Sequence, residues 1–101
     1  MKTTFREENG NFIVGLIGRL DTAASDKTAK ELEVLNDCMG HNIIIDCEEL
    51  DYISSSGLRI FLNIRKRAGA VGSKVIIKNV KEDIKKVLVM TGFNSIFNIE
   101  E

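Results

Sequence analysis

Three consecutive serines, Ser54, Ser55 and Ser56, are the side chains in this sequence best suited to chemistry. They lie in the segment DYISSSGLRIFLNIRKR, just before a hydrophobic run that ends in basic residues. A serine hydroxyl can act as a nucleophile, accept a phosphoryl group, or accept a hydrogen bond from the free N–H groups at a helix start. One serine is enough to cap a helix, so three in a row suggest a second role.

Capping and phosphorylation are both compatible with serines at the start of a helix. Residue type alone favours a plain cap, because serine is common at that position. A phosphoserine adds a charge of about −1.5 to −2, which the positive end of a helix tolerates well. Phosphorylation here would therefore leave the domain folded and change only the surface offered to a partner.

A catalytic serine is the weaker alternative. It needs a base within hydrogen-bond reach and an oxyanion hole. His41 is the only histidine, and we expect it on a solvated loop before the third strand, at the opposite end of that strand from the serines. The sequence has no G-x-S-x-G motif. It therefore predicts no catalytic residues and no enzyme activity.

The remaining reactive residues do not form a metal or nucleotide site. Cys38 and Cys47 are not in a C-x-x-C pair, and with one histidine they cannot supply the three or four ligands that a metal needs. We expect both to be reduced core thiols. The segment Gly72–Lys74 has the wrong order for a P-loop and reads as a turn before a strand. We predict no metal and no cofactor.

The composition predicts one folded domain over residues 1–101. The chain is 44% hydrophobic and 29% charged, as is typical of a domain with a single core. A net charge of −1 gives no basic field, so we expect no nucleic acid as a partner. No run of about 18 apolar residues is present, and charges fill the N-terminal MKTTFREENG, so we predict a cytoplasmic protein without membrane insertion.

The first part of the chain predicts a hairpin and a helix. We expect strands at Thr3–Glu8 and Phe12–Gly18, joined by Asn9–Gly10, because a type I′ turn needs positive φ at both positions. A helix should start at Asp21–Thr22, whose side chains can cap it, and end at Gly40. Its inner face has the helical spacing of Ala24, Thr28, Leu32, Leu35 and Met39.

A third strand and a second helix follow. The strand Asn42–Cys47 contains three isoleucines in a row, which indicates burial on both faces. We expect a polar loop over Asp46–Ser54, with Leu50, Tyr52 and Ile53 buried or half-buried in it. The helix after the serines should present a stripe of Leu58, Phe61, Leu62 and Arg65, with Ile60 and Ile64 beside it. The basic run Arg65–Arg67 fits its last turn, where positive charge complements the helix dipole.

The C-terminal part adds another strand and helix. Lys74–Lys78 predicts a strand, Glu82–Asp83 a helix start and Gly92 its end, with Ile84, Val87, Leu88 and Thr91 along one face. Ile96–Ile99 is a short last strand or a docked tail. Helices between strands imply parallel neighbours. We therefore predict an α/β fold with a mixed four- to five-stranded sheet, formed by an N-terminal antiparallel hairpin and parallel β-α-β units packed against helices.

The chain resembles STAS domains, specifically the small single-domain anti-sigma-factor antagonists. Gly18–Asp21 is similar to the G-x-L-D motif that the family has after its second strand. Ile43–Asp46 followed by Leu50–Leu58 is similar to the third strand and the D-S-S-G-L turn. Leu88–Phe93 with Ile96–Phe97 resembles the C-terminal helix and exit. The three motifs occur in the family's order along nearly the whole chain.

The resemblance implies a protein without catalysis of its own. Such antagonists bind an anti-sigma factor that is a GHKL-type kinase and so free a sigma factor for transcription. The kinase phosphorylates the first serine of D-S-S-G, which breaks the complex, and a PP2C-type phosphatase restores binding. By position the phosphoacceptor here is Ser55, followed by Ser56 and Gly57, while Asp21 falls where the family has a partner-contacting aspartate.

The expected partner surface surrounds these residues. Arg59 lies on the first turn of the helix, where its charge opposes the dipole, and this suggests a binding role. An exposed arginine screened by water is the equally weighted alternative. The whole predicted partner-binding set is Asp21, Thr22, Ser56, Gly57, Leu58, Arg59 and Leu62.

One departure from the family pattern keeps alternatives open. Ser54 stands where the family has an aspartate, so Ser54 and Ser56 remain alternates to Ser55 as the acceptor. A hydroxyl orients the acceptor or contacts a kinase more weakly than a carboxylate does. The alternative function is a stand-alone STAS subunit that docks a lipid-transport ABC system or another signalling assembly without phosphorylation. The same helix face, with Leu58, Arg59 and Leu62, would then serve as the docking surface.

Overall fold

The computed structural model describes residues 1–100, with six strands and three α-helices. The strands are β1 (Lys2–Glu8), β2 (Asn11–Leu20), β3 (Asn42–Asp46), β4 (Leu50–Ile53), β5 (Val75–Lys78) and β6 (Asn98–Glu100). The helices are α1 (Thr22–Glu31), α2 (Ser55–Ala70) and α3 (Glu82–Met90), with 3-10 turns at Leu32–Asn36 and Phe93–Ser95. The predicted fold class is confirmed, with one strand more than expected.

The N-terminal hairpin forms as the turn sequence predicts. Asn9 has φ 53° and Gly10 has φ 79°, which is the left-handed backbone of a type I′ turn. β1 and β2 are antiparallel, and they pair residue for residue from Lys2–Ile17 to Glu8–Asn11. β1 therefore lies at one edge of the sheet, in the order β1-β2-β3-β5-β6.

β2 has two partners on the side away from β1. Its first half pairs in parallel with β3, and its last three residues pair in parallel with β4. The register shifts between Gly18 and Arg19, where Gly18 has φ 101° and its N–H donates to the carbonyl of Glu49 at 2.9 Å. The prediction of a loop over Asp46–Ser54 is thus wrong for Leu50–Ile53, because this segment gains strand hydrogen bonds from β2.

The core lies on the helix-covered face of the sheet. α1 packs on β2, and α2 packs on β4 and β5. The strand side chains on this face are fully or nearly fully buried: Val14, Leu16, Ile43, Ile45, Val75 and Ile77. Their neighbours on the opposite face, Ile13, Ile44 and Ile76, are only half-buried. The expectation that β3 is buried on both faces is therefore wrong for Ile44.

α1 is shorter than its sequence pattern predicts. The α-helix ends at Glu31, a 3-10 turn follows, and Met39 is 69% exposed, so the predicted helix to Gly40 is wrong. The buried residues of this segment are Leu32, Leu35 and Cys38. The spacing of three between Leu32 and Leu35 matches the three residues per turn of the 3-10 helix better than the 3.6 of an α-helix, and Cys38 lies just after this turn.

α2 differs from its prediction in length and in its buried face. It runs through Gly69 to Ala70, so only Arg67 of the basic run lies in its last turn. Arg65 instead donates from Nε to the carbonyl of Ile96 at 2.7 Å. The buried residues are Gly57, Ile60, Phe61, Ile64 and Ala68. Leu62 is 40% exposed, because the helix is rotated so that the Ile60–Ile64 line faces the core.

The C-terminal segment closes the sheet at its other edge. α3 buries Ile84 and Leu88 and ends before Gly92, whose φ of 80° confirms the predicted helix stop. β6 then pairs in parallel with β5, which confirms the short last strand. Within residues 1–100, no helix is both long enough and apolar enough to span a membrane.

Candidate functional site

Two helices begin side by side at the carboxyl ends of β2 and β4. β2 and β4 are parallel, and their last residues, Leu20 and Ile53, are register partners. Each strand is followed at once by the N-cap of a helix, Asp21 for α1 and Ser54 for α2. Parallel pairing therefore brings Asp21 and the serine triplet together, although they lie far apart in the sequence.

Each cap satisfies backbone groups at its helix start. The carboxylate of Asp21 accepts from the N–H of Ala24 at 2.9 Å. The hydroxyl of Ser54 accepts from the N–H of Gly57 at 3.2 Å, and its own backbone N–H donates to the carbonyl of Leu20 at 2.9 Å. The last bond links the start of α2 to the end of β2, so the two helix starts are fixed relative to each other.

The three serines have different environments. Ser54 is 7% exposed, and its hydroxyl caps α2. Ser55 is the first residue of α2, and its side chain is exposed to solvent. Ser56 is half-buried. Of the three serines, Ser55 is the most exposed and therefore the most accessible to a modifying enzyme.

Replacing Ser54 with alanine should lower the free energy of unfolding by about 0.5–2 kcal/mol, because the Gly57 N–H loses its acceptor. Chemical denaturation of the wild type and the Ser54→Ala variant measures the difference. Ser54→Asp is the matched control, since aspartate caps as well as serine does and should keep wild-type stability. Equal stability of all three proteins would contradict the capping role.

The predicted partner-binding residues fall into exposed and buried groups. Thr22, Arg59 and Leu62 are exposed, Asp21, Ser56 and Leu58 are half-buried, and Gly57 is buried. Ser55, Arg59 and Leu62 recur at spacings of four and three on α2, so they form one stripe, which we call the outer stripe. It faces away from the buried Ile60–Ile64 line and ends in an exposed leucine.

Gly57 allows α2 to approach the two strand ends. A Cβ at this position would lie 2.8 Å from Cγ of Leu20 and 2.9 Å from Cγ1 of Ile53. Both side chains are buried, so they have little room to move. The absence of a side chain at Gly57 therefore allows the serine triplet to lie close to the end of β2 and to Asp21.

The sequence does not predict two side-chain contacts of β4, a cation–π contact and an ion pair. The guanidinium of Arg19 lies 4.3 Å from the ring centroid of Tyr52, a cation–π contact between β2 and β4. Lys81 forms an ion pair with Asp51, and the hydrogen bond to that carboxylate raises the pKa of Lys81. Tyr52, expected to be at least half-buried, is exposed. The β-prone Tyr52-Ile53 pair was the one available signal for β4.

His41 lies at the other end of the sheet from the serines. It precedes β3, whose first residue pairs with Asn11 at the start of β2. The imidazole stacks on Phe12 with a centroid distance of 4.1 Å and forms a hydrogen bond with Glu7. The predicted loop position before β3 is thus confirmed, although contacts with Phe12 and Glu7 leave His41 half-buried and not fully solvated.

The cysteines are buried free thiols, as predicted. Burial raises the pKa of Cys47 from 9.0 to about 12, and the neighbouring carboxylate of Asp46 adds to this. Over residues 1–100, no group of three or more histidine, cysteine or acidic side chains is arranged to hold a metal ion.

Comparison with known proteins relates this geometry to one family. The family model of the STAS domain matches residues 2–101. A protein of Bordetella bronchiseptica, BtrV, described provisionally as an anti-sigma factor antagonist, is 31% identical over 99 residues, which cover 98% of this chain and 85% of that protein.

Solved structures share the fold. An anti-sigma factor antagonist from Mycobacterium paratuberculosis superposes with a TM-score of 0.88 at 15% identity, covering 98% of this chain and 84% of the other. The phosphorylated form of SpoIIAA, a Bacillus cell fate determinant, superposes with a TM-score of 0.73 at 20% identity, covering 97% and 90%. The hairpin, the parallel strands and the helices thus follow a known arrangement.

Proposed function

The chain belongs to the STAS domain family, and from this we propose that it is an anti-sigma-factor antagonist. It binds an anti-sigma factor of the GHKL kinase type, frees a sigma factor for transcription, and is switched off by phosphorylation of Ser55. A PP2C-type phosphatase reverses the modification. The similarity to BtrV over 98% of this chain supports an anti-sigma factor as the partner.

The proposal rests on the different structural roles of Ser54 and Ser55. Ser54 supplies the cap, so the adjacent Ser55 is not needed to hold the helix together. Ser55 is exposed at the positive end of α2, where a phosphate is favoured electrostatically. Phosphorylation would therefore change the surface and leave the fold intact.

The outer stripe explains how a phosphate would weaken binding. Arg59 lies one turn after Ser55, so a phosphoserine and the guanidinium are placed to form an ion pair along the helix. That pair would withdraw Arg59 from an acidic group of the partner.

We propose that the domain is non-catalytic. A serine nucleophile needs a base that the fold brings to it. The single histidine is held by Glu7 and Phe12 at the opposite end of β2. The serines instead serve a binding surface made by Asp21, Thr22, Ser56, Gly57, Leu58, Arg59 and Leu62.

A paired pull-down from the native cytosol tests the proposal. The baits are the Ser55→Ala and Ser55→Asp proteins, and mass spectrometry identifies what each recovers. We expect the Ala bait to retain a GHKL kinase that the Asp bait loses, because aspartate places a negative charge on the outer stripe. Ser95→Asp is the matched control, since Ser95 is also exposed but lies outside α2.

The thermal midpoint of each bait is measured in parallel. It should be unchanged or slightly raised for Ser55→Asp, since a carboxylate in the first turn interacts well with the helix dipole. Equal recovery of the kinase by both Ser55 baits would overturn the switch. Recovery of a transporter ATPase or permease by both would identify the chain as a transport subunit instead.

A further inference from the structure

β1 is the longer of the two edge strands of the sheet, and its outer side is open. Its seven residues pair with β2 on one side, while the other side has no neighbouring strand in residues 1–100. The opposite edge, β6, has three residues. Sheet edges are normally protected by short length, bulges, charged side chains or covering segments, because unpaired backbone groups invite another strand. β1 has the charged side chains but is neither short nor bulged. β1 pairs without a register shift, so a straight edge is presented.

The turn geometry determines which backbone groups face outward. A two-residue type I′ turn closes with a hydrogen-bonded pair, here Glu8 and Asn11. Because hydrogen-bonded and non-hydrogen-bonded pairs alternate along an antiparallel ladder, Thr3, Phe5 and Glu7 direct their N–H and C=O groups away from β2. The central one, Phe5, has a side chain that is 45% exposed.

We propose that β1 is a self-association site, at which two copies of this chain pair antiparallel about a two-fold axis at Phe5. In this register Lys2 of each copy faces Glu8 of the other, so two opposite-charge pairs form per dimer. The two Phe5 rings meet at the axis, where an aromatic pair adds to the backbone hydrogen bonds.

Charge selects this register over its neighbours. Residues that lie opposite each other in a continuous sheet have side chains on the same face. The register can therefore shift only by an even number of residues, and the nearest alternatives are shifts of two in either direction. One slip places Lys2 opposite Arg6 of the second copy, and the other places the two Arg6 side chains opposite each other. Both bring like charges together, which is destabilising. The sequence KTTFREE is thus self-complementary in one register only.

The remaining charges at this edge are compatible with pairing. On the helix side, Glu7 is engaged by His41, and Glu31 accepts a hydrogen bond from Thr3 at 3.1 Å. On the open side, Glu8 accepts from Arg6 at 3.0 Å within the same chain. Lys2 of a second copy would join that carboxylate as a further cation.

The self-association site lies on the opposite side of β2 from β4 and the outer stripe of α2. β1 lies on one side of β2, while β4 and β3 lie on the other. A dimer through β1 would therefore leave Ser55 and the outer stripe free on both copies. This inference does not depend on the proposed function, and the dimer would present two partner surfaces joined by one continuous sheet.

Two charge-reversal variants of β1, measured separately and as a mixture, test the register. Lys2→Glu and Glu8→Lys should each raise the dimer dissociation constant about tenfold in sedimentation equilibrium, because both symmetric pairs become like-charged. An equimolar mixture of the two variants should recover wild-type association as a heterodimer, since every pair is again opposite. Lys86→Glu, on α3, is the control and should associate like the wild type. A wild type that stays monomeric, or a mixture no more associated than its parts, would overturn the proposal.

Cross-linking reads the register directly. Only a residue on the two-fold axis faces its own copy, and opposite Cα atoms about 5.5 Å apart lie within disulfide range. Phe5→Cys should therefore give a covalent dimer on oxidation, while Thr4→Cys and Arg6→Cys should not. Cys38 and Cys47 are buried and should not interfere in the folded protein. Preferential cross-linking of Thr4→Cys or Arg6→Cys would show a slipped register and contradict the proposal.

Discussion

Replacing Gly57 with alanine should lower the free energy of unfolding by about 1–2 kcal/mol, although alanine is the better helix former. Helix propensity favours alanine by about 0.5–1 kcal/mol. The new Cβ would stand 2.8 Å from Cγ of Leu20 and 2.9 Å from Cγ1 of Ile53. Overpacking of this kind typically costs about 1–3 kcal/mol, so the steric effect outweighs propensity.

Gly69→Ala is the matched control in the same helix. An added Cβ at Gly69 meets no atom within 4 Å, so only the propensity term remains. This variant should gain about 0.5–1 kcal/mol. Urea denaturation of both variants measures the contrast between one chemical change at two positions of α2. If both variants are stabilised, the close approach at Gly57 is not significant.

A double variant shows whether Leu20 is the obstacle. Leu20→Ala alone should destabilise by about 2–5 kcal/mol, because it leaves a cavity. In that background Gly57→Ala should destabilise less, since the new methyl group can shift into the vacated space and only the contact with Cγ1 of Ile53 remains close. The two substitutions should therefore be strongly non-additive. Additive effects would show that Gly57→Ala acts through some other contact.

The site beside Gly57 shows what local sequence can predict. A helix start is determined by a short polar side chain and the free N–H groups next to it, which are local properties. Asp21 and the serine triplet were therefore placed at helix starts from sequence, and the structure confirms both. The Asn9–Gly10 turn and the Gly92 helix stop are local in the same sense.

The features that were missed depend on distant segments. Leu50–Ile53 is a strand because the end of β2 is free to pair with it after the shift at Gly18. No spacing within the segment shows that partner. The same holds for Arg19 and Tyr52, whose contact exists only once β2 and β4 are paired.

Which of the three serines is accessible for phosphorylation also depends on tertiary structure. Sequence treats Ser54, Ser55 and Ser56 as near equivalents, because each is a good residue for a helix start. Burial separates them, and the burial of Ser54 follows from its backbone bond to Leu20 across the sheet edge. The acceptor assignment to Ser55 came from a family resemblance, and its solvent exposure now supports it independently.

Ionisation of Cys47 should lower the free energy of unfolding at alkaline pH. Its thiol is fully buried at the end of β3, and burial beside Asp46 raises its pKa from 9.0 to about 12. Above pH 9.0 the unfolded chain releases this proton while the folded protein retains it. The associated stability is therefore intact below pH 9.0 and is lost as the pH rises towards 12, at about 1.4 kcal/mol per pH unit.

We expect the wild type to lose about 2 kcal/mol more than Cys47→Ala between about pH 8 and about pH 10.5, measured by urea denaturation at each pH. The Lys81–Asp51 pair also weakens with rising pH, but it is present in both proteins and cancels in the comparison. Ile45→Val is the matched control, because it removes a buried methyl group near Cys47 without removing a titrating group. It should lose as much stability as the wild type over this interval. If Cys47→Ala does the same, the buried thiol of Cys47 does not control alkaline unfolding.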